Sequence, residues 1–190
     1  MGLVIVKEFE GRYKGGKLQW YKLPSGDGGG AFEVAGINER YHDEMAWNLR
    51  RLIDDGFHEK AERDAANYII SYTDPVLKFF PRANRPEKNP GVEFILRDCF
   101  FNRGPTGSAR ILQIALGMKD VDGIVGPATR AELGKQIDEI GSQRVVSKIS
   151  KARETYERNV VGRNEKSKFW KGLSSRWDKA HTIANTRFIA

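Results

Sequence analysis

The chain has 190 residues, of which 39% are hydrophobic and 11% aromatic. This size and this apolar content exclude a chain that is mainly disordered, and they fit one domain or two small lobes around a buried core. The longest uncharged apolar stretch, residues 111–118, is much shorter than the roughly 20 residues that a membrane-spanning helix needs. The single cysteine, Cys99, excludes an intramolecular disulfide framework and a zinc site built from several thiolates.

The formal net charge of +7 is unevenly distributed. Residues 1–80 carry 11 basic and 13 acidic side chains, whereas residues 81–190 carry 21 basic and 12 acidic ones, a net charge of +9. This asymmetry predicts that the second half of the chain meets a polyanion, and a nucleic acid, a membrane surface and an anionic cell wall all fit that description. The first residues lack the apolar length and the cleavage site of a signal peptide, so we expect synthesis in the cytoplasm.

In chain order, apolar residues at helical spacing first predict a short helix over residues 1–13, which includes Tyr13. Residues 14–38 are rich in glycine, and each glycine inside a helix costs about 1 kcal/mol. This segment therefore predicts a short hairpin or an irregular loop.

Helical periodicity predominates in the rest of the chain. Helices are expected over residues 45–53 and 61–72, followed by a proline-rich linker over residues 81–90. Further helices follow, with breaks near Gly104-Pro105 and Gly126-Pro127. Six or seven helices and almost no strand predict a mainly α fold, with one lobe over residues 1–80 and a helical lobe over residues 91–190.

Several kinds of site are excluded by the residue pattern. The three histidines, at positions 42, 58 and 181, are scattered, and none lies at ligand spacing from another histidine or a cysteine, so we expect no metal. The glycines at positions 28–30 lack the Lys-Ser/Thr pair of a phosphate-binding loop, and no organic cofactor is expected.

Carboxylates around the glycine-rich segment remain as candidates for chemistry. Glu10 lies at the end of the first predicted helix, Asp27 in the loop and Glu33 just beyond it. Glycosidases place two carboxyl groups across a cleft, one protonated and acting as an acid, the other ionised. On composition alone, the simpler interpretation is a solvated helix end and an aspartate in a glycine turn.

Two sets of motifs resemble one enzyme family. Residues 10–13 read Glu-Gly-Arg-Tyr, residues 27–31 read Asp-Gly-Gly-Gly-Ala and residues 36–37 read Gly-Ile. They are similar to the Glu-Gly-Gly-Tyr, Asp-Pro-Gly-Gly and Gly-Ile elements of glycoside hydrolase family 108, the lysozyme-like N-acetylmuramidases. Its C-terminal peptidoglycan-binding region is resembled by four later segments: residues 101–105, 112–117 (Leu-Gln-Ile-Ala-Leu-Gly), 122–129 (Asp-Gly-Ile-Val-Gly-Pro-Ala-Thr) and 169–176.

The resemblance implies a lysozyme-like helical fold and hydrolysis of the β-1,4 bond between N-acetylmuramic acid and N-acetylglucosamine. Glu10 takes the position of the family's catalytic glutamate and would act as the general acid. The second catalytic group is open between Asp27 and Glu33, because Phe32 and Glu33 stand where the family has a threonine. We expect Asp27 to be that group, since Glu33 should face outward if Phe32 faces inward.

The same resemblance suggests four substrate-binding residues: Tyr13, Asn102, Asp122 and Thr129. It indicates a monomeric phage-endolysin type of muramidase whose partner is bacterial peptidoglycan, and which acts in the periplasm or cell wall after release by a holin or another helper. Two alternatives remain at this point: a peptidoglycan-binding protein whose catalytic site is weak or inactive, and a helical nucleic-acid-binding protein, which the basic second half alone suggests.

Overall fold

The computed structural model describes residues 1–24 and 28–188. It confirms that the fold is mainly α. The chain divides into two compact units, Met1–Tyr72 and Thr73–Ala190. This boundary precedes the predicted linker, and residues 81–90 belong to the second unit, where Asn84 is buried and its amide donates to Asp138 at 2.7 Å. Prolines restrict the backbone locally but do not by themselves separate domains, and the proline-rich residues 81–90 are part of a folded segment here.

The first unit combines short strands with three helices. Its helices are α1 (Gly2–Ile5), which continues into a π-helical turn (Val6–Glu10), α2 (Asp43–Asp54) and α3 (His58–Thr73). Between α1 and α2 lie five short strands: β1 (Arg12–Lys14), β2 (Lys17–Gln19), β3 (Tyr21–Lys22), β4 (Phe32–Val34) and β5 (Ile37–Asn38).

The first helical segment is shorter than predicted. It ends at Glu10, because Gly11 adopts an extended conformation with φ −75° and ψ 136°. The prediction that Tyr13 is helical is therefore wrong: it lies on β1, opposite Leu18 of β2. Gly15 and Gly16 connect these antiparallel strands with positive φ angles that glycine adopts without strain. The short hairpin expected in the glycine-rich segment is thus confirmed.

A second small sheet, in the order β3-β4-β5, lies beside α2. Its strands pair antiparallel, and β4 is the central one. Phe32, Val34 and Ile37 are buried, together with Leu49 of α2 and Ile69 of α3, and they form the core of the first unit.

The second unit consists mainly of three long helices. They are α4 (Pro90–Leu116), α5 (Pro127–Tyr156) and α6 (Trp170–Arg187); the shorter elements are two 3₁₀ helices (Asp74–Phe79 and Pro86–Lys88) and a π-helical turn (Glu157–Val161). The predicted break near Gly104 is a kink inside α4, where Gly104 has φ 68°. A similar kink lies inside α5 at Gly141, which has φ 81°.

A buried charge cluster joins the three long helices. Asp98 of α4 is fully buried and accepts hydrogen bonds from Arg153 of α5 and from Arg176 of α6, the latter at 2.6 Å. Burial alone would raise the pKa of Asp98, but the charges and hydrogen bonds of Arg176 and Arg153 together lower it. Among residues 1–24 and 28–188, no helix combines the length and apolar character that a bilayer crossing requires.

Candidate functional site

Two glycines position Glu10 at the end of the first helical segment. A Cβ on Gly2 would lie 2.2 Å from the carbonyl oxygen of Ala66, so only glycine lets α1 pack this closely on α3. At the other end, the Gly11 amide donates to the Val6 carbonyl at 2.6 Å, a bond that spans five residues and widens the last turn. Glu10, the last residue of this turn, is half-buried.

Tyr13 fixes the hairpin that follows Glu10. Its hydroxyl donates to Oε1 of Glu62 on α3 at 2.6 Å, and its pKa is raised above the ordinary value by burial and then by that bond and the charge of Glu62. A Cβ on Gly11 would lie 2.6 Å from the Tyr13 ring. The predicted role of Tyr13 in substrate binding stays a prediction, and its side chain is 38% exposed.

Glu33 lies on the central strand of the second sheet. Its cross-strand neighbours are Tyr21 on β3 and Asn38 on β5, and the Tyr21 hydroxyl donates to its Oε1. Phe32 is buried and faces inward, as the alternation of the strand requires. Glu33 therefore emerges on the opposite face, but it is half-buried there and bonded to the Tyr21 hydroxyl.

The electrostatic environment couples Glu33 to Glu10. Burial and then the negative charge of Glu10 raise the pKa of Glu33, Arg12 opposes both effects, and the net result is a pKa of about 7. The Arg12 guanidinium lies 3.5 Å from the centre of the Tyr21 ring, so it belongs to the same group of side chains. The charge of Glu10, one predicted catalytic residue, therefore acts on Glu33, a second one, and the catalytic roles of both stay predictions.

Asp27 lies outside the described residues, and its predicted catalytic role stays a prediction. The sequence interpretation missed Tyr21 and Arg12, which contact or influence Glu33. The aromatic character of Tyr21 favours a strand at this position, since aromatic residues are common in strands. The register that sets Tyr21 opposite Glu33, however, depends on the loop between β3 and β4.

Glu33 makes stability depend on pH. Its folded pKa of about 7 lies above the ordinary value of 4.5, so the folded state binds more protons than the unfolded state between these values. Stability therefore falls as pH rises through this window. We expect Glu33→Gln to exceed the wild type in free energy of unfolding by about 2 kcal/mol near pH 8, after discounting for partial exposure, and to match it near pH 4.

Urea denaturation of both proteins at the two pH values checks this expectation. Glu59→Gln is the matched control, because the Glu59 side chain is 95% exposed on α3 of the same unit. A difference between Glu33→Gln and the wild type that stays constant from pH 4 to pH 8 would contradict the raised pKa.

In the second unit, the predicted binding residue Asp122 belongs to a hydrogen-bonded loop. Gln113 of α4 donates to Asp122 Oδ1 at 2.6 Å and accepts from the Gly123 amide at 2.8 Å. The Ile124 amide also donates to Asp122 Oδ1, and these two bonds to Asp122, the one from Gln113 first, lower its pKa. The motif around Gln113 and Asp122 therefore fixes the loop, while the Asp122 side chain itself stays exposed.

The other two predicted binding residues of this unit lie in different environments. Thr129, in the first turn of α5, is only 2% exposed, so a substrate could reach it only if its surroundings moved. Asn102 is half-buried beside the kink in α4, next to Arg103, whose Nε lies 2.5 Å from Oε1 of the buried Glu157. The predicted substrate-binding roles of Asn102, Asp122 and Thr129 stay predictions.

Comparisons with known proteins add one finding on the fold. No protein-family profile and no curated protein matches the chain. A solved structure of SagA from Brucella abortus is similar, with a TM-score of 0.57 and 23% sequence identity over 87% of this chain and 85% of that one. At this identity the likeness establishes a shared fold. Within the described residues, no group of three or more His, Cys, Asp or Glu side chains is arranged to hold a metal ion.

Proposed function

We propose that the protein is a peptidoglycan hydrolase, a muramidase that cleaves the β-1,4 bond between N-acetylmuramic acid and N-acetylglucosamine. The observation that carries the proposal is Glu33, a half-buried carboxyl on β4 whose pKa is raised to about 7 by burial and then by the charge of Glu10. Glycoside hydrolysis needs such a pair, with one carboxyl protonated and one ionised at the working pH.

The two carboxyl groups divide the chemistry of the cleavage between them. The protonated carboxyl donates its proton to the glycosidic oxygen as the bond from that oxygen to C1 breaks. The ionised carboxylate stabilises the positive charge that develops on the sugar ring. Water supplies the hydroxyl that bonds to C1, and the proton that this water loses returns to the carboxyl that acted as the acid. The raised pKa of Glu33 fits the acid role, and Glu10 would then supply the carboxylate, which reverses the general-acid role that the resemblance implies for Glu10.

Two further points support the proposal. The sequence around Glu10 resembles the glutamate motif of glycoside hydrolase family 108, and Glu10 is the last residue of the first helical segment, just before the strand β1. Arg12 stands where that family has glycine, and here its charge acts on Glu33. Asp27 remains the alternative partner of Glu10.

Reducing ends released from purified peptidoglycan test the proposed activity directly. The full chain should release them, and Glu10→Gln and Glu33→Gln should not. The alternative is a protein that only binds the wall. Such a protein would sediment with peptidoglycan and release no reducing ends.

We further propose that the second unit binds the anionic wall through its exposed basic side chains. Three of them, Lys166, Lys168 and Lys171, lie close together in sequence around the start of α6. Replacing all three with glutamate in a Glu10→Gln background should weaken sedimentation with peptidoglycan about tenfold at low salt. The difference should shrink as salt rises, because exposed charges are screened within about 8 Å at physiological ionic strength.

A matched control exists in the first unit. Lys14, Lys17 and Lys22 are equally exposed, and their replacement makes the same change in net charge. If this control weakens wall binding as much as the variant of the second unit, net charge rather than the second unit determines binding.

A further inference from the structure

A cavity of about 730 Å³ opens on the first unit beside α2 and α3. Trp47, Asn48 and Arg51 of α2 line it, together with His42, which precedes α2, and Tyr68 of α3. The Trp47 side chain is 48% exposed, although it is large and mostly apolar. None of these residues takes part in the chemistry proposed for Glu10 and Glu33.

Trp47 is held in place from behind. Its ring meets Phe32 edge-to-face, with 4.8 Å between ring centres, and the Arg50 guanidinium lies 5.1 Å from the ring centre. Phe32 is almost fully buried, so it anchors Trp47 to the core. The exposed part of Trp47 is therefore a fixed apolar surface, which costs little conformational entropy when a ligand packs on it.

Two pairs of polar side chains flank this surface. The Asn48 Oδ1 accepts a hydrogen bond from Arg51 Nη2 at 3.2 Å, which orients the Asn48 amide nitrogen to donate elsewhere. The His42 Nδ1 lies 2.8 Å from the Tyr68 hydroxyl. Burial lowers the pKa of His42, so the ring is uncharged near neutral pH. The cavity thus offers oriented donors and acceptors around one aromatic surface.

We propose that this cavity, the Trp47 pocket, binds one N-acetylated pyranose ring of a glycan strand. A pyranose has an apolar face of C–H groups, which packs on an aromatic ring, and a rim of hydroxyl and amide groups, which needs planar polar partners. The backbone links the pocket to the catalytic pair: the His42 amide donates to the Asn38 carbonyl at 3.0 Å, and Asn38 is paired with Glu33. The choice of ligand rests on the proposed function.

Titration with the trimer of N-acetylglucosamine tests the pocket, monitored by isothermal calorimetry on the full chain carrying Glu10→Gln. We expect Trp47→Ala to weaken binding about tenfold, because it removes the stacking surface. Asn48→Ala, which leaves the packing of Trp47 on Phe32 intact, should weaken it about threefold. Phe57→Ala should leave binding unchanged; Phe57 is 59% exposed in the same unit and lines a different cavity.

Equal binding of the trimer by the parent protein and by both pocket variants would overturn the proposal. So would binding of a peptidoglycan stem tripeptide with no binding of the trimer, since the acidic Asp43 and Glu44 at the rim could attract its amines. These outcomes are separate from a failure of the proposed function. Lysis that survives Glu10→Gln and Glu33→Gln would reject the catalytic pair without changing trimer binding.

Discussion

Replacing Glu10 with glutamine is expected to lower the rate of wall lysis by about 10²–10⁴-fold, and Glu33→Gln should cost a similar factor. Glutamine keeps the shape of the side chain but can neither donate an acidic proton nor carry negative charge. Because the two carboxyls act as a unit, the double variant should be little worse than either single one. Turbidity clearance of a peptidoglycan suspension at equal protein concentration measures all three.

Two controls make this result specific. Glu59→Gln removes a carboxylate that is almost fully exposed in the same unit, and it should clear the suspension like the wild type. Asp27→Asn tests the partner that the sequence favours. If Asp27→Asn is at least about tenfold more damaging than Glu33→Gln, Asp27 is the second catalytic group and the Glu10–Glu33 pair is wrong.

Asp98→Ala is expected to lower the free energy of unfolding of the second unit by about 3–5 kcal/mol. Asp98 accepts hydrogen bonds from Arg153 and Arg176, and Arg153 is itself only 3% exposed and also donates to the Cys99 sulfur at 3.0 Å. Removing the carboxylate leaves two guanidinium groups without their buried counter-charge. Urea denaturation followed by far-UV circular dichroism measures the loss.

Asp178→Ala serves as the control for this prediction, because Asp178 is exposed on α6. It should change stability by less than about 0.5 kcal/mol. A loss of under 1 kcal/mol in Asp98→Ala would mean that the charge cluster contributes little to the association of α4, α5 and α6.

The sequence predicted the parts of the fold that depend on local preferences. Gly104 and Gly15-Gly16 lie where the chain bends or turns, and a positive φ angle there follows from the freedom of glycine. The burial of Asn84 in the segment 81–90 and its bond to Asp138 could not be predicted, because they depend on packing between residues far apart in sequence. The first helix was predicted to continue to residue 13, whereas the extended conformation of Gly11 ends it at Glu10.

In the candidate site, too, local motifs were predictable from the sequence, whereas contacts between distant residues were not. Glu10 was found through a local motif at a helix end. The position of Glu33 opposite Tyr21 required the pairing of β3 with β4, and the sequence alone does not determine this register. The burial of Thr129 could not be predicted either. The local pattern of a turn followed by a helix start is the same whether the residue is exposed or buried.

Mass spectrometry of the fragments that the full chain releases from purified peptidoglycan tests the central claim most directly. The account predicts disaccharide peptides with N-acetylmuramic acid at the newly formed reducing end, and their loss in Glu10→Gln and Glu33→Gln but not in Glu59→Gln. Intact glycan strands after incubation with the wild type, or fragments cut within the stem peptide, would contradict it.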